Sequence, residues 1–333
     1  MESTLPLGKL PFDLLAQVLA RAPVQDPRVL LGPGVGLDCA VLDLGNTLLV
    51  MKAEPITFVT DKIGWYAVQI SLNDIATTGA TPRWMLTTLL LPEKSTTESL
   101  VMEIGRQVFD ACADLGISVI GGHTEITFGL DRPILMSTMI GEVAPGHLVT
   151  PRGAQPGDRV LLTKGIPIEA TAILAREFPE RLSRYLSPEE IQQAANYLFE
   201  PGISVYRDAQ IALQSGKVTA MHDPTEGGLA AALWEMAEAS GHRFDVDTHK
   251  VLVPDLSGRI CQVFGLNPLA TIASGALLLT ASADTTPAVL PALQSAGIPC
   301  AEIGTVSEGE VSVWDGEALL PRPTRDEITK VFG

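Results

Sequence analysis

The sequence predicts an α+β protein of two domains, and three observations carry that reading. At 333 residues the chain exceeds the length at which one hydrophobic core usually stops growing. Helical apolar spacing and short β-type runs interleave in both halves without a regular βαβ period. Residues 144–158 are crowded with Pro and Gly and carry no apolar period, which suits a domain connection. The boundary therefore falls near residue 150, with an N-terminal domain over 1–150 and a C-terminal domain over 151–333.

The elements follow in order. Leu14, Leu15, Val18 and Leu19 recur at helical spacing within 12–22. Short strands are expected at 40–42, 48–51 and 56–60, divided by glycines and prolines. Apolar periodicity then predicts a helix over 65–77, a strand over 85–91, a helix over 96–115, and strands over 117–120 and 134–143. After the connection come a strand at 159–163, helices near 169–177, 188–198 and 205–214, a strand at 218–221 and a helix from Glu226. Strands at 276–280 and 311–314 flank a helix at 288–295. The sequence contains no short internal repeat, low-complexity tract or coiled-coil heptad.

Composition narrows the function. The 23 basic residues against 39 acidic ones leave a net charge of −16, which repels nucleic-acid backbones and anionic membranes. An anionic nucleotide would then need a cation as intermediary. Residues 1–10 hold one Lys and no long apolar run, and no stretch approaches the roughly 20 apolar residues that span a bilayer. A cytoplasmic protein is expected. Cys39, Cys112, Cys261 and Cys300 are far apart with no C-x-x-C pair, which fits reduced thiols rather than a disulfide framework or zinc knuckle.

Three carboxylates sit beside Gly-rich text: Asp38 in Gly36-Leu37-Asp38-Cys39-Ala40-Val41, Asp74 in Asn73-Asp74-Ile75-Ala76-Thr77-Thr78-Gly79-Ala80, and Asp223 in His222-Asp223-Pro224-Thr225-Glu226-Gly227-Gly228-Leu229. Separated aspartates of this kind suit Mg²⁺, which takes oxygen ligands and shares them with nucleotide phosphates. Each has a plainer reading as well. Asp38 suits a turn, Asp223 a helix N-cap, and Asp74, inside an apolar helical pattern, an exposed helix face. Asp61, after apolar 56–59, is a weaker candidate metal ligand. Gly121-Gly122-His123-Thr124-Glu125 follows the apolar run 117–120, where a strand is expected to end and glycine lets backbone amides approach a phosphate. Neither a G-x-x-x-x-G-K-[ST] nor a G-x-G-x-x-G motif is present.

These four motifs, in this order and across most of the chain, resemble the AIR synthase (PurM-like) superfamily. His222–Ala230 and Gly265-Leu266-Asn267-Pro268-Leu269 resemble its HypE branch, associated with hydrogenase maturation. The resemblance implies a PurM-like fold: a strand-rich N-terminal domain that dimerises through its sheet, a C-terminal α/β domain, and ATP held through Mg²⁺ in the cleft between them. It implies Asp38, Asp74 and Asp223 as metal ligands, beside the weaker candidate Asp61, with Asn73, Gly121, Gly122, Thr124, Gly227 and Gly228 as candidate nucleotide contacts. His123, Glu125 and Glu226 are candidates for proton transfer.

Departures from the family pattern point to a changed substrate pocket. Leu37 replaces the first of two paired acids, and His222 and Glu226 stand where the HypE branch usually has arginines. The sequence closes on Lys330-Val331-Phe332-Gly333, with no cysteine after Cys300, so carbamoylation of a terminal thiolate is not expected. The leading expectation is an ATP- and Mg²⁺-dependent enzyme that phosphorylates, and in one version dehydrates, a small molecule or a group carried by a partner protein. A non-catalytic nucleotide-binding assembly factor and a dehydratase acting on a thiol supplied by a partner are the alternatives. A homodimer with its interface within about residues 35–145 is expected from the resemblance.

Overall fold

The structure, a computed structural model, describes residues 5, 8–34, 36–57, 59 and 61–332. Most of the 1–10 opening, Phe58 and Thr60 of the expected 56–60 strand, and Gly333 lie outside the described residues. The chain forms two compact units. The N-terminal unit comprises Val24–Gly32 and Asp38–Leu148, and the C-terminal unit Met1–Pro23, Pro33–Leu37 and Val149–Gly333. Both mix helices and strands, as the α+β expectation requires.

Helix α1 (Phe12–Leu19) belongs to the C-terminal unit and stops three residues before the expected end. The N-terminal unit holds β1 (Val29–Leu31), β2 (Ala40–Asp43), β3 (Leu48–Ile56), α2 (Ile63–Thr77), β4 (Thr81–Pro92), α3 (Glu98–Asp114), β5 (Ser118–Thr127) and β6 (Ile134–Val143). Its described strands make one sheet in the order β1-β2-β3-β6-β4-β5. Pairing is antiparallel except between β4 and β5, which run parallel, so β5 is an edge strand. In β6, strict alternation sends Leu135, Ser137, Met139 and Val143 to the buried face. Helix α2 covers that side and is buried along nearly its whole length. Ser71 and Ser137 satisfy each other inside this layer at 2.7 Å. The Thr97 hydroxyl accepts the Leu100 amide and starts α3.

The C-terminal unit continues with β7 (Arg159–Thr163), α4 (Ile168–Glu177), α5 (Pro179–Leu182), α6 (Pro188–Ala195), α7 (Tyr206–Ser215), β8 (Val218–His222), α8 (Gly228–Ser240), β9 (Arg243–Val246) and α9 (Asp255–Phe264). Then come β10 (Leu278–Ala281), α10 (Thr286–Ser295), β11 (Cys300–Ser307), β12 (Ser312–Asp315), β13 (Ala318–Leu319) and α11 (Thr329–Phe332). The described strands order as β13-β12-β9-β11-β7-β10-β8. Among these described strands only β9 and β12 pair in parallel. Val160, Leu162, Leu229, Leu233, Met236, Phe244 and Ile303 form the core between this sheet and α8. Ser187 and Glu190 form a reciprocal capping box on α6.

Several boundaries differ from the sequence reading, each for a physical reason. The strand expected at 48–51 runs on to Ile56, the first residue of the expected 56–60 strand, because β3 pairs with β6 along its full length. The run 117–120 does not end at the glycine pair, because β5 continues through Gly121–Glu125 on its ladder with β4. The helix expected from Glu226 starts at Gly228, because Gly227 at φ 84° and Gly228 at φ 61° take left-handed backbone that interrupts right-handed winding ahead of it. Among the described residues, no helix is long and apolar enough to cross a membrane.

Candidate functional site

In the N-terminal unit the site is built around a lysine. Alternation along β3 places Lys52 and Glu54 on the face that carries the buried Val50 and Ile56. Asp74 comes from α2, whose register points it inward, and its residue is only 3% exposed. The exposed-face reading of Asp74 is therefore corrected: α2 has almost no exposed face. Lys52 Nζ donates to Asp74 Oδ1 at 3.0 Å and lies 3.3 Å from Glu54 Oε2 and 4.0 Å from Asp38 Oδ1. Burial works to strip the ammonium proton, but Asp74, Asp38 and Glu54 outweigh it and raise the Lys52 pKa well above its usual value. Three carboxylates thus surround one fixed cation.

Asp38 sits in the irregular segment just ahead of β2. The buried Cys39 donates its thiol to the Asp74 carbonyl at 3.4 Å, which ties this segment to α2. Asn73 is buried beside Asp74. Asp61 lies in an exposed turn before α2, outside the Lys52 ion pairs.

Next to this cluster a groove of about 550 Å³ runs over the sheet, lined by Glu54, Thr87, Thr88, Gly122, Ser137 and Thr138 among others. Glu54 belongs to both the cluster and the groove. A Cβ on Gly122 would stand 2.1 Å from the Thr87 carbonyl oxygen, so only glycine lets β5 approach β4 here. The glycine pair thus shapes a strand rather than forming a turn. His123 and Glu125 project from this edge strand, exposed, with His123 Nε2 3.3 Å from Glu125 Oε2. Thr124, between them, borders a second hollow with Leu89, Met102 and Phe109.

In the C-terminal unit, Asp223 follows the last residue of β8 and is 1% exposed. It is not the α8 N-cap, since Gly227 occupies that position. His222 is buried with Nε2 2.7 Å from Glu235 Oε2 on α8. Glu226 accepts the Lys9 amide at 3.1 Å. The Gly227 amide donates to Asp326 Oδ2 and the Gly228 amide to the Thr225 carbonyl. Both N–H groups are therefore engaged within the unit. A Cβ on Gly228 would lie 2.7 Å from the Thr271 carbonyl oxygen, so this turn requires glycine for close packing.

Two acids missed in the sequence reading lie beneath this turn. Glu169, in the first turn of α4, is 5% exposed, and its Oε2 makes no hydrogen bond among the described residues. Burial pushes its pKa up to about 7, with Ser274 hydrogen bonds opposing and the charges of Asp326 and Glu226 adding to the rise. Asp326 is pushed up to about 6 by burial, against hydrogen bonds from the Gly227, Ile328 and Ile272 amides and with Glu226 adding to the rise. The one sequence signal for Glu169 was its place in the apolar run Ile168-Glu169-Ala170-Thr171-Ala172-Ile173-Leu174. Lys52 carried none, because a single Lys in an extended strand usually faces solvent.

The thiols follow the bland expectation. Burial pushes Cys112 to about 11 and Cys261 to about 12. Cys300 reaches about 12 by burial and the nearby Asp208 charge. None of these three is poised as a thiolate.

Comparison with known proteins adds a lineage to this geometry. Residues 36–143 match the AIR synthase related protein N-terminal domain and residues 155–315 the C-terminal domain. A putative hydrogenase expression/formation protein of Methanocaldococcus jannaschii is 29% identical over 259 residues, which covers 74% of this chain and 72% of that protein. The carbamoyl dehydratase HypE of Cupriavidus necator is 27% identical over 263 residues, 77% of this chain and 70% of that protein. Among solved structures, the hydrogenase maturation protein HypE in complex with ATP has a TM-score of 0.69 at 22% identity, covering 93% of this chain and 90% of that one. That likeness concerns the fold.

Proposed function

This chain belongs to the AIR synthase related family, with its PurM-like fold, and from that premise we propose that it is an ATP-using enzyme. Its reaction is phosphorylation of an acceptor on a small molecule or a partner protein, with dehydration of the phosphorylated group as a second stage. The observation that carries this reading is the joining of Asp38 and Asp74, the two N-terminal motif aspartates, in one cluster whose Glu54 also lines a groove of Thr and Ser hydroxyls. Hydroxyls and a glycine-tight strand suit the ribose and phosphates of a nucleotide. The solved HypE in complex with ATP shares the fold.

The carboxylates fit a nucleotide-borne Mg²⁺ in part. Asp74 already holds Lys52 at 3.0 Å. In the N-terminal unit Asp38, 4.0 Å from the ammonium, is the ligand we propose, with Asp61 the weaker one, and in the C-terminal unit it is the buried Asp223. Mg²⁺ supplies charge neutralisation of the phosphates and polarisation of the transferred phosphoryl group. The groove hydroxyls of the N-terminal unit orient the nucleotide, and the groups we propose for proton transfer are His123 and Glu125 in that unit and Glu226 in the C-terminal unit. Asn73, Gly121, Gly122, Thr124, Gly227 and Gly228 contribute through packing and the backbone path.

Two measurements test the reading. Calorimetry is expected to show ATP affinity at least about tenfold weaker in EDTA than with Mg²⁺, because carboxylates and polyphosphate repel without a cation between them. Asp38→Asn and Asp223→Asn are expected to weaken Mg-ATP binding in the same series. Equal affinity in both conditions would sink the metal-bridged nucleotide. The second measurement follows ADP and phosphate release across amides, thiocarboxamides and phosphorylated metabolites, and turnover with one class names the acceptor. The alternative of a non-catalytic nucleotide-binding factor draws on Leu37 and on the Lys52 hold on Asp74. ATP binding without turnover on any acceptor favours it.

We also propose a homodimer through the N-terminal unit. Edge strand β5 and its surroundings expose Ile120, Ile126, Phe109 and, at 82%, Phe128, an apolar surface that water disfavours. A second copy of the chain is the occupant we assign. Light scattering is expected to give twice 35.4 kDa, and Ile126→Glu with Phe128→Glu to return the monomer mass. A wild-type monomer at micromolar concentration refutes the assignment.

A further inference from the structure

We infer that Lys52 is a built-in counter-ion for the N-terminal acid cluster, standing where a divalent cation would otherwise bridge Asp74, Asp38 and Glu54. The Nζ lies within 4.0 Å of an oxygen from each of the three carboxylates. Any cation that joined them would seek the same point. A Mg²⁺ ion needs its oxygens at about 2.1 Å, and an ion that close to Asp74 Oδ1 would sit beside an ammonium 3.0 Å from the same oxygen. Two neighbouring cations in a half-buried pocket repel strongly, since the local dielectric screens them far less than water does.

The backbone leaves Lys52 no easy way out. It lies in the middle of β3, paired with β2 on one side and β6 on the other, and shares its face with buried Val50 and Ile56. Its side chain is 17% exposed, and Asp74 is buried on the facing helix. Moving the ammonium to solvent would leave Asp74 as a buried charge without this counter-ion. Lys52 thus offsets one of the three carboxylate charges and occupies the point they share, and any Mg²⁺ the chain uses does not take Asp74 as a ligand.

The test uses Mn²⁺ alone, without nucleotide, so its outcome is independent of whether the chain uses ATP. Bound Mn²⁺ per chain is counted by electron paramagnetic resonance for the wild-type chain, Asp74→Asn, Lys52→Met, and Lys52→Met with Asp74→Asn. The inference expects Asp74→Asn to leave wild-type Mn²⁺ binding unchanged. Lys52→Met, with an apolar chain of similar length, is expected to gain one Mn²⁺ per chain at least about tenfold tighter than any new site in wild type, since the competing charge is gone. Asp74→Asn in that background should remove the gained ion. Loss of a wild-type Mn²⁺ on Asp74→Asn overturns the inference, and so does a folded Lys52→Met that gains none. If Lys52→Met does not fold, Lys52→Gln takes its place, and the wild-type against Asp74→Asn comparison still decides.

Discussion

Lys164→Met is expected to cost the C-terminal unit about 3–5 kcal/mol of stability, the range for removing one partner of a buried ion pair. Lys164 follows β7 at φ 56°, a left-handed conformation that few side chains adopt. From there its Nζ donates to the Ser204 carbonyl and lies 3.2 Å from Asp208 Oδ2, with both side chains almost wholly buried. Thr163 donates its hydroxyl to the other Asp208 oxygen at 2.7 Å. Burial lowers the Lys164 pKa against the attraction of Asp208, so the pair is held at a desolvation cost. Removing the ammonium alone leaves the buried Asp208 charge without its counter-ion, whereas Lys164→Met combined with Asp208→Asn removes both charges. Denaturant titration of the single and double variants measures this, and the double variant is expected to recover most of the loss. Equal destabilisation in both would show that packing around the Lys164 stem, not the stranded charge, sets the cost.

Glu169→Gln is expected to act in the opposite direction, stabilising the protein by up to about 3 kcal/mol at pH 8 and by almost nothing at pH 4. The sign follows from the raised pKa. Glu169 titrates near 4.5 when unfolded and at about 7 when folded. Below 4.5 it is protonated in both states and makes no difference. Between 4.5 and 7 the unfolded chain releases the proton while the folded one keeps it, so stability falls as pH rises. Above 7 the penalty is complete. Gln keeps a similar shape and an oxygen for Ser274 while removing the ionisation, so the fall attributable to Glu169 should disappear. Chemical denaturation at pH 4, 6 and 8 is the measurement, and a pH-independent change in stability would contradict it. Asp326, also raised by burial, gives a smaller fall at lower pH that persists in the Glu169→Gln protein.

Local pattern explains what was legible without the structure. Strand β6 alternates without interruption, and its bounds agree with the apolar run at 134–143. Strand β7 agrees with the run at 159–163. Errors came where local text conflicts with a long-range pairing. Gly121-Gly122 is written like a turn, yet β4 pairs with it along a continuous ladder and holds it extended. Asp-Pro-Thr-Glu reads as a helix start, yet the left-handed Gly227 delays α8 by two residues. Strand β1, three residues long, has too few positions to show a period.

By itself, the sequence determined the two-part α+β architecture, the order of most elements, the acidic character and the motifs that join the chain to its family. Those properties are local or compositional, set by apolar spacing and by short motifs. Only the tertiary structure decided which charges meet. Lys52, Glu54 and Asp74 become one cluster because β3 and α2 pack together. Glu169 and Asp326 become proton-retaining acids because α4 and the segment after residue 320 lie beneath the Thr225–Gly228 turn. A carboxylate or ammonium has the same covalent structure on a surface as in a core. Its partner and its desolvation, which decide its charge and its use, are set by residues distant in sequence, and no local pattern encodes them.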